Sequence, residues 1–260
     1  MCFDFDARPP IPPIAGGAID SGPITLAAAD GNRFTAFRAR AAEPSGAGML
    51  VLPDVRGLHP YYEDLALRFA ENGIDAVAID YFGRTAGLGR RGPGFDHAPH
   101  VAQTTFDGLT ADVRAAAGYL RSEEGGAVRA LFTIGFCFGG RLSFLCATLG
   151  LELAGVIGFY GWPVGPHRSG TPAPADVADR FAAPVLAIFG GADEGIPLAA
   201  IETFEAALRR ANVEHEIVVY PNAPHSFFDR RADEFARTSE QAWQAVLEFV
   251  RAHTRTGAPA

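Results

Sequence analysis

Six short apolar runs separated by helical stripes constrain this chain more than any other feature. Residues 49–52, 74–79, 130–135, 153–159, 184–189 and 216–220 are rich in Val, Ile, Leu and Phe and nearly free of charge. Such runs suit parallel strands covered on both faces. Between them, apolar residues recur at helical spacing: Tyr62, Leu65 and Phe69 ahead of Asn72-Gly73; Leu109, Val113, Ala116 and Leu120; Ile201, Phe204 and Leu208; Trp243, Val246, Leu247 and Val250. Each set places one stripe against a sheet. The alternation predicts an α/β chain with a mostly parallel, doubly wound sheet flanked by helices, and ligands bound beyond the C-terminal strand ends.

No internal repeat or linker divides the 260 residues, so the reading is a single domain over 1–260. The prolines between 9 and 13 and the glycines at 16, 17 and 22 make residues 1–23 an irregular N-terminal arm. The run RFTAFRAR at 33–40 suits a sheet edge. Two loops, 85–101 and 161–180, are long for such a fold and rich in Pro, so each is expected to be a substrate wall, a lid or a plain surface insertion.

Charge removes several function classes. The formal net charge is -8, which offers no broad basic surface for a phosphate backbone, and nucleic acid is not expected as a partner. All 22 cations are Arg. Without lysine there is no P-loop amine, no Schiff base and no Ser-x-x-Lys base. Three scattered cysteines make neither a disulfide framework nor a metal site, and fit a reducing compartment. Arg141 and Glu152 interrupt the most apolar stretch well short of the ~20 residues that span a bilayer. No secretory signal precedes Arg8, so a soluble, cytoplasmic protein without a membrane partner is expected. The G-x-G-x-x-G match at 87–92 is followed by Pro93, Gly94 and Pro99 instead of a helix, which rules out its reading as a dinucleotide loop.

The chemical signal is Gly135-Phe136-Cys137-Phe138-Gly139-Gly140, directly after a strand and before a helical run starting near Arg141. A nucleophile on a strand-to-helix turn takes strained backbone angles, and glycines two before and two after let strand and helix approach. This is a nucleophile elbow with Cys in place of Ser. The adjoining helix N-terminus is expected to favour the thiolate. Cys146, within the helical run, reads as core, and Cys2 has no role. A thiol nucleophile needs a base and the base an orienting acid, in the order nucleophile, acid, histidine. Asp193 ends one strand at the catalytic edge, and His225 follows the last strand. Glu194 and Asp229 are the competing acids; His97, His100 and His167 fall in the long loops, and His215 and His253 read as solvated.

GFCFGGR, GGADEGIP and APHSFFD, with DVRG after the first core strand and DYFGR after the second, resemble the dienelactone hydrolase family from about residue 49 to 250. The resemblance implies an α/β-hydrolase fold, cleavage of an enol lactone (carboxymethylenebutenolide), a Cys-His-Asp triad and no cofactor or metal. Carried over, Cys137 is the nucleophile, His225 the base and Asp193 its orienter, with the backbone N–H groups of Val55 and Phe138 as oxyanion hole. Asp54 stands where the family has a glutamate near the resting thiol. Arg84 matches an arginine that binds the substrate carboxylate. A second family arginine matches Asp229, with Arg230 one position later. The expected reaction is hydrolysis of a small-molecule lactone or activated ester through an acyl-thioester. A thiol-based redox or binding protein on the same fold is the alternative.

Overall fold

In a computed structural model, the structure describes all residues except 1, 2, 5, 168, 230–232 and 257–260, and the backbone alone of 255 and 256. Eight strands form one sheet: β1 (Ala18–Ala27), β2 (Arg33–Ala41), β3 (Ala47–Leu52), β4 (Ile74–Ile79), β5 (Ala130–Phe136), β6 (Gly155–Phe159), β7 (Val185–Gly190) and β8 (His215–Tyr220). Their order is β1-β2-β4-β3-β5-β6-β7-β8. β1 and β2 are antiparallel to their neighbours, and from β4 to β8 every pairing is parallel. The helices are α1 (Pro60–Glu71), α2 (Gly83–Ala86), α3 (Ala98–Ala102), α4 (Phe106–Arg121), α5 (Phe138–Cys146), α6 (Leu198–Arg210) and α7 (Ala236–Thr256). This is the mostly parallel, helix-flanked sheet expected from the alternation, and the α/β-hydrolase architecture that the family resemblance implied.

The central strands β3 to β7 are buried along their whole length, which is why they read as unbroken apolar runs and not as alternations. The stripes of α1, α4 and α6 are buried at Leu65 and Phe69, at Leu109, Val113 and Leu120, and at Ile201, Phe204 and Leu208. Among the described residues no helix is long and apolar enough to cross a membrane.

Two expectations at the N-terminal end are corrected. Residues 1–23 are not an irregular arm throughout, because β1 begins at Ala18 and pairs with β2 in a ladder reaching Ala27. β1 escapes sequence reading because, as the sheet's outer strand, it is exposed or half-buried at each position and contains Gly22 and Pro23. The run at 33–40 is therefore not the edge; β2 sits one strand in, between β1 and β4.

Arg84 follows from the fold as well. It lies on α2 and reaches Asp30 in the β1–β2 turn at 2.5 Å, Asp112 on α4 at 2.8 Å and the Gly108 carbonyl at 3.1 Å. Burial lifts the Asp112 carboxyl to about 6, against the pull of Asn32 and Arg84. Arg84 thus clamps the sheet margin to α4. Arg84→Ala is expected to lower stability by about 1–2 kcal/mol, chiefly by taking a donor from buried Asp112. It should leave the ratio of kcat/KM for matched neutral and carboxylated esters unchanged; a selective loss of the carboxylated ester would return Arg84 to the substrate.

Candidate active site

Strand β5 runs into α5 through Cys137, which has φ 55° and ψ -113° and serves as the helix N-cap. An L-residue holds such angles only under constraint. The constraint is visible in its surroundings. The Cys137 N–H donates to the Phe159 carbonyl at 3.0 Å, and its own carbonyl accepts from Arg141 N–H at 3.1 Å. A Cβ on Gly140 would stand 2.6 Å from the Phe159 carbonyl oxygen, so the close approach of α5 and β6 needs glycine there. The helix begins at Phe138, three residues earlier than the sequence suggested, because the elbow residue itself caps it.

Cys137 opens onto a cavity of about 770 Å³ that is also lined by Phe138, Tyr160, Trp162, His167, Asp193, Glu194 and His225. His225 Nδ1 lies 2.6 Å from Asp193 Oδ2. Burial works to raise the Asp193 carboxyl, but the hydrogen bond and charge of His225 and the N–H groups of Gly195 and Ile196 outweigh it and hold it below the usual carboxylate range. With Nδ1–H engaged by a carboxylate, the tautomer is set and Nε2 is left as the ring's acceptor nitrogen. Nε2 is buried and has no hydrogen-bond partner among the described residues. The structure thus brings Cys137, His225 and Asp193 to one cavity. Of the competing acids, Glu194 lines the cavity but is exposed, and Asp229 accepts the Arg8 N–H at 3.2 Å.

Of the oxyanion candidates, Phe138 opens α5 and lines the cavity, whereas Val55 follows β3 and is not among the lining residues. Asp54 arranges the Val55 loop: its N–H donates to the Tyr62 hydroxyl at 2.9 Å, its Oδ1 accepts the Arg56 N–H at 2.8 Å, and its carbonyl accepts from Gly57. Both carboxylate oxygens take the Arg56 guanidinium, and His59 Nε2 is 3.7 Å away. Burial would raise this carboxyl, but the hydrogen bonds and charges of His59 and Arg56 prevail and lower it to about 2. Asp54 is therefore a brace for the loop and is not among the residues lining the cavity. Its shorter side chain turns to Arg56 beside it. Arg84 is likewise absent from the lining, so Asp54, expected near the thiol, and Arg84, expected on the substrate, are both found in ion pairs outside the cavity. Cys2 and Arg230 lie outside the described residues.

Several lining residues escaped the sequence reading. Tyr160 follows β6 with φ 37° and packs its ring on His225, centroids 4.7 Å apart. Ser226, directly after His225, has φ 58°. Three of the six non-glycine residues with positive φ among the described residues therefore cluster at this site, a concentration typical of functional strain. The 161–180 loop supplies Trp162 and His167, and His167 stacks on Phe138 with centroids 5.3 Å apart. Arg141, in the first turn of α5 after Cys137, is 1% exposed and donates to the carbonyls of Trp162, Gly165, Thr171 and Pro172. Burial lowers its guanidinium to about 10. The loop is thereby pinned as a wall. A helical arginine followed by a Pro- and Gly-rich loop was the available signal, but only the three-dimensional approach reveals the pairing. Cys146 is 1% exposed, and burial pushes its thiol up to about 12, so it is an inert core residue and no resolving partner for a redox switch.

Comparison with known proteins agrees with this fold. The model of the dienelactone hydrolase family matches residues 34–254. A protein of Escherichia coli O157:H7 named "Putative carboxymethylenebutenolidase" is 33% identical over 240 residues, 88% of this chain and 86% of that protein. The crystal structure titled "Putative Dienelactone Hydrolase" from Klebsiella pneumoniae superposes with a TM-score of 0.77 at 29% identity, covering 90% of this chain and 99% of the other. The Pyrococcus furiosus esterase Pf2001, 14% identical, shares the fold with a TM-score of 0.67 over 96% of this chain and 99% of its own. With its parallel sheet, its elbow and a family match over most of its length, this chain belongs to the dienelactone hydrolase family.

Proposed function

We propose that the protein hydrolyses a small-molecule lactone or activated ester through an acyl-thioester on Cys137. The observation that carries this reading is a thiol on a strained strand-to-helix turn, sharing one cavity with a histidine whose Nδ1 is held by a buried carboxylate. His225 Nε2 takes the thiol proton as sulfur attacks the carbonyl carbon. Collapse of the tetrahedral intermediate breaks the C–O bond, and the imidazolium returns the proton to the leaving oxygen. In a lactone that oxygen stays tethered to the acyl group. His225 next removes a proton from water, whose oxygen attacks the thioester carbon; the carboxylic acid departs and the thiol is restored. Asp193 holds the tautomer and offsets the transient imidazolium charge. The N–H groups of Val55 and Phe138 receive the oxyanion, each such donor being worth on the order of a hundredfold in rate.

The test couples labelling to activity. Brief iodoacetamide treatment near neutral pH should alkylate Cys137 at least about a hundredfold faster than Cys146, since access and thiolate fraction both favour it. Esterase activity should fall in step with Cys137 modification by peptide mapping. Alkylated Cys137 with full esterase activity would sink the proposal.

A further inference from the structure

The N-terminal segment is buried far more deeply than a loose leader needs to be. Phe3, Ala7 and Ile11 are 3%, 0% and 7% exposed, and the first of them reaches the catalytic side of the sheet. The Phe3 ring stacks on Tyr61 with centroids 4.1 Å apart and planes 23° apart. It also meets Phe136, the residue before the nucleophile, at 6.0 Å, and the edge of Tyr160 at 6.3 Å. Tyr160 in turn packs on the His225 imidazole. A continuous chain of rings therefore runs from residue 3 to the proposed base.

A second tie acts on the loop that carries His225. The Arg8 N–H donates to Asp229 Oδ1 at 3.2 Å, four residues beyond the histidine, and the Tyr61 hydroxyl donates to the Phe228 carbonyl at 2.6 Å. Tyr61 thus joins both ties, stacked on Phe3 and bonded to the loop. The position where the family resemblance places a substrate-binding arginine holds a carboxylate that grips backbone instead.

One hydrogen bond donated to Asp193 fixes the position of Nδ1 but leaves the imidazole free to rock about that bond, and the Tyr160 ring, 4.7 Å away and tilted 49° to it, restrains that motion. We propose that the segment carrying Phe3, Arg8 and Ile11 is a strap that positions His225, with Phe3 as its wedge against Tyr160 and Asp229 as its latch. The proposal rests on the reading of His225 as the base. The strap bears most on deacylation, because the attacking water, unlike the thiol, is held by no covalent bond and depends on the aim of Nε2.

Stopped-flow hydrolysis of p-nitrophenyl acetate separates the two half-reactions, with acylation read from the nitrophenolate burst and deacylation from the steady rate. Phe3→Ala should lower steady-state kcat about tenfold, keep KM within about twofold and retain a burst. Phe3→Leu, which refills the space, should recover to within about threefold of the parent. Asp229→Ala should resemble Phe3→Ala, whereas Asp229→Asn keeps an acceptor for the Arg8 N–H and should stay near the parent. Leu247→Ala in α7, a buried truncation remote from the strap, gauges the effect of lost stability alone: its Tm should fall comparably with kcat unchanged. Phe3→Ala with the parent's kcat and burst, at any Tm, would overturn the strap, as would a fall in kcat for Leu247→Ala matching that of Phe3→Ala. His225→Ala run alongside separates the claims: if it still turns over, the base assignment fails, and if it is dead while Phe3→Ala is intact, only the strap fails.

Discussion

Cys137→Ala lowers kcat for p-nitrophenyl esters and enol lactones by about 10⁴-fold or more, while the fold and substrate binding persist. The size of the effect follows from what is lost: without the sulfur there is no covalent route, and only the oxyanion donors and cavity remain to accelerate attack by water. The side chain is half-buried at an elbow held by backbone hydrogen bonds, so its truncation removes one sulfur atom without opening the core. The measurement is initial rate per properly folded protein, with far-UV circular dichroism and Tm recorded on the same sample. Cys137→Ser should sit between parent and alanine, because its hydroxyl needs full deprotonation by His225 in each cycle. An alanine variant with more than a tenth of the parent's rate would place the chemistry elsewhere.

His225→Ala abolishes steady turnover to a similar degree, and Asp193→Asn slows it by about 10²- to 10⁴-fold with the fold retained. The asparagine offers its amide N–H to Nδ1 and so favours the tautomer with the proton on Nε2, where it cannot act as base. Deacylation suffers most, since water is a weaker nucleophile than a thiolate and needs the base more. Pre-steady-state traces of Asp193→Asn should show a burst followed by a very slow phase. Unchanged kinetics would transfer the orienting role to Glu194, the other carboxylate lining the cavity, since Asp229 is turned to the Arg8 backbone.

Local pattern made much of this architecture legible. The runs at 74–79 and 130–135 are strands because their residues are buried on both faces, and the elbow is recognisable because glycine spacing reports how closely two backbones must pass. The order of Cys137, Asp193 and His225 was readable for the same reason: each stands just past the C-terminal end of a strand with an apolar signature. Reading fell short where only the fold shows what a charged group pairs with. The family resemblance set Asp54 near the resting thiol and Arg84 on the substrate carboxylate, yet Asp54 pairs with Arg56 two residues on and Arg84 clamps Asp30 and Asp112, 54 and 28 positions away. β1 was missed because an outer strand carries little hydrophobic signature of its own.

The sequence by itself therefore determined the class of sheet, the strained turn at Cys137 and the side chains on which the proposed acyl transfer rests, because these depend on periodicity and on backbone space within a few residues. Only the tertiary structure decided which charged groups face the cavity and which are consumed in holding it. Arg141 spends its donors on the carbonyls of the 161–180 loop, Asp229 accepts the Arg8 N–H, and Phe3 packs against Tyr160, the ring beside His225, from more than 150 positions away. A guanidinium or carboxylate has the same letter in either role. Its neighbours in space set whether its charge is spent on the fold or left for a ligand.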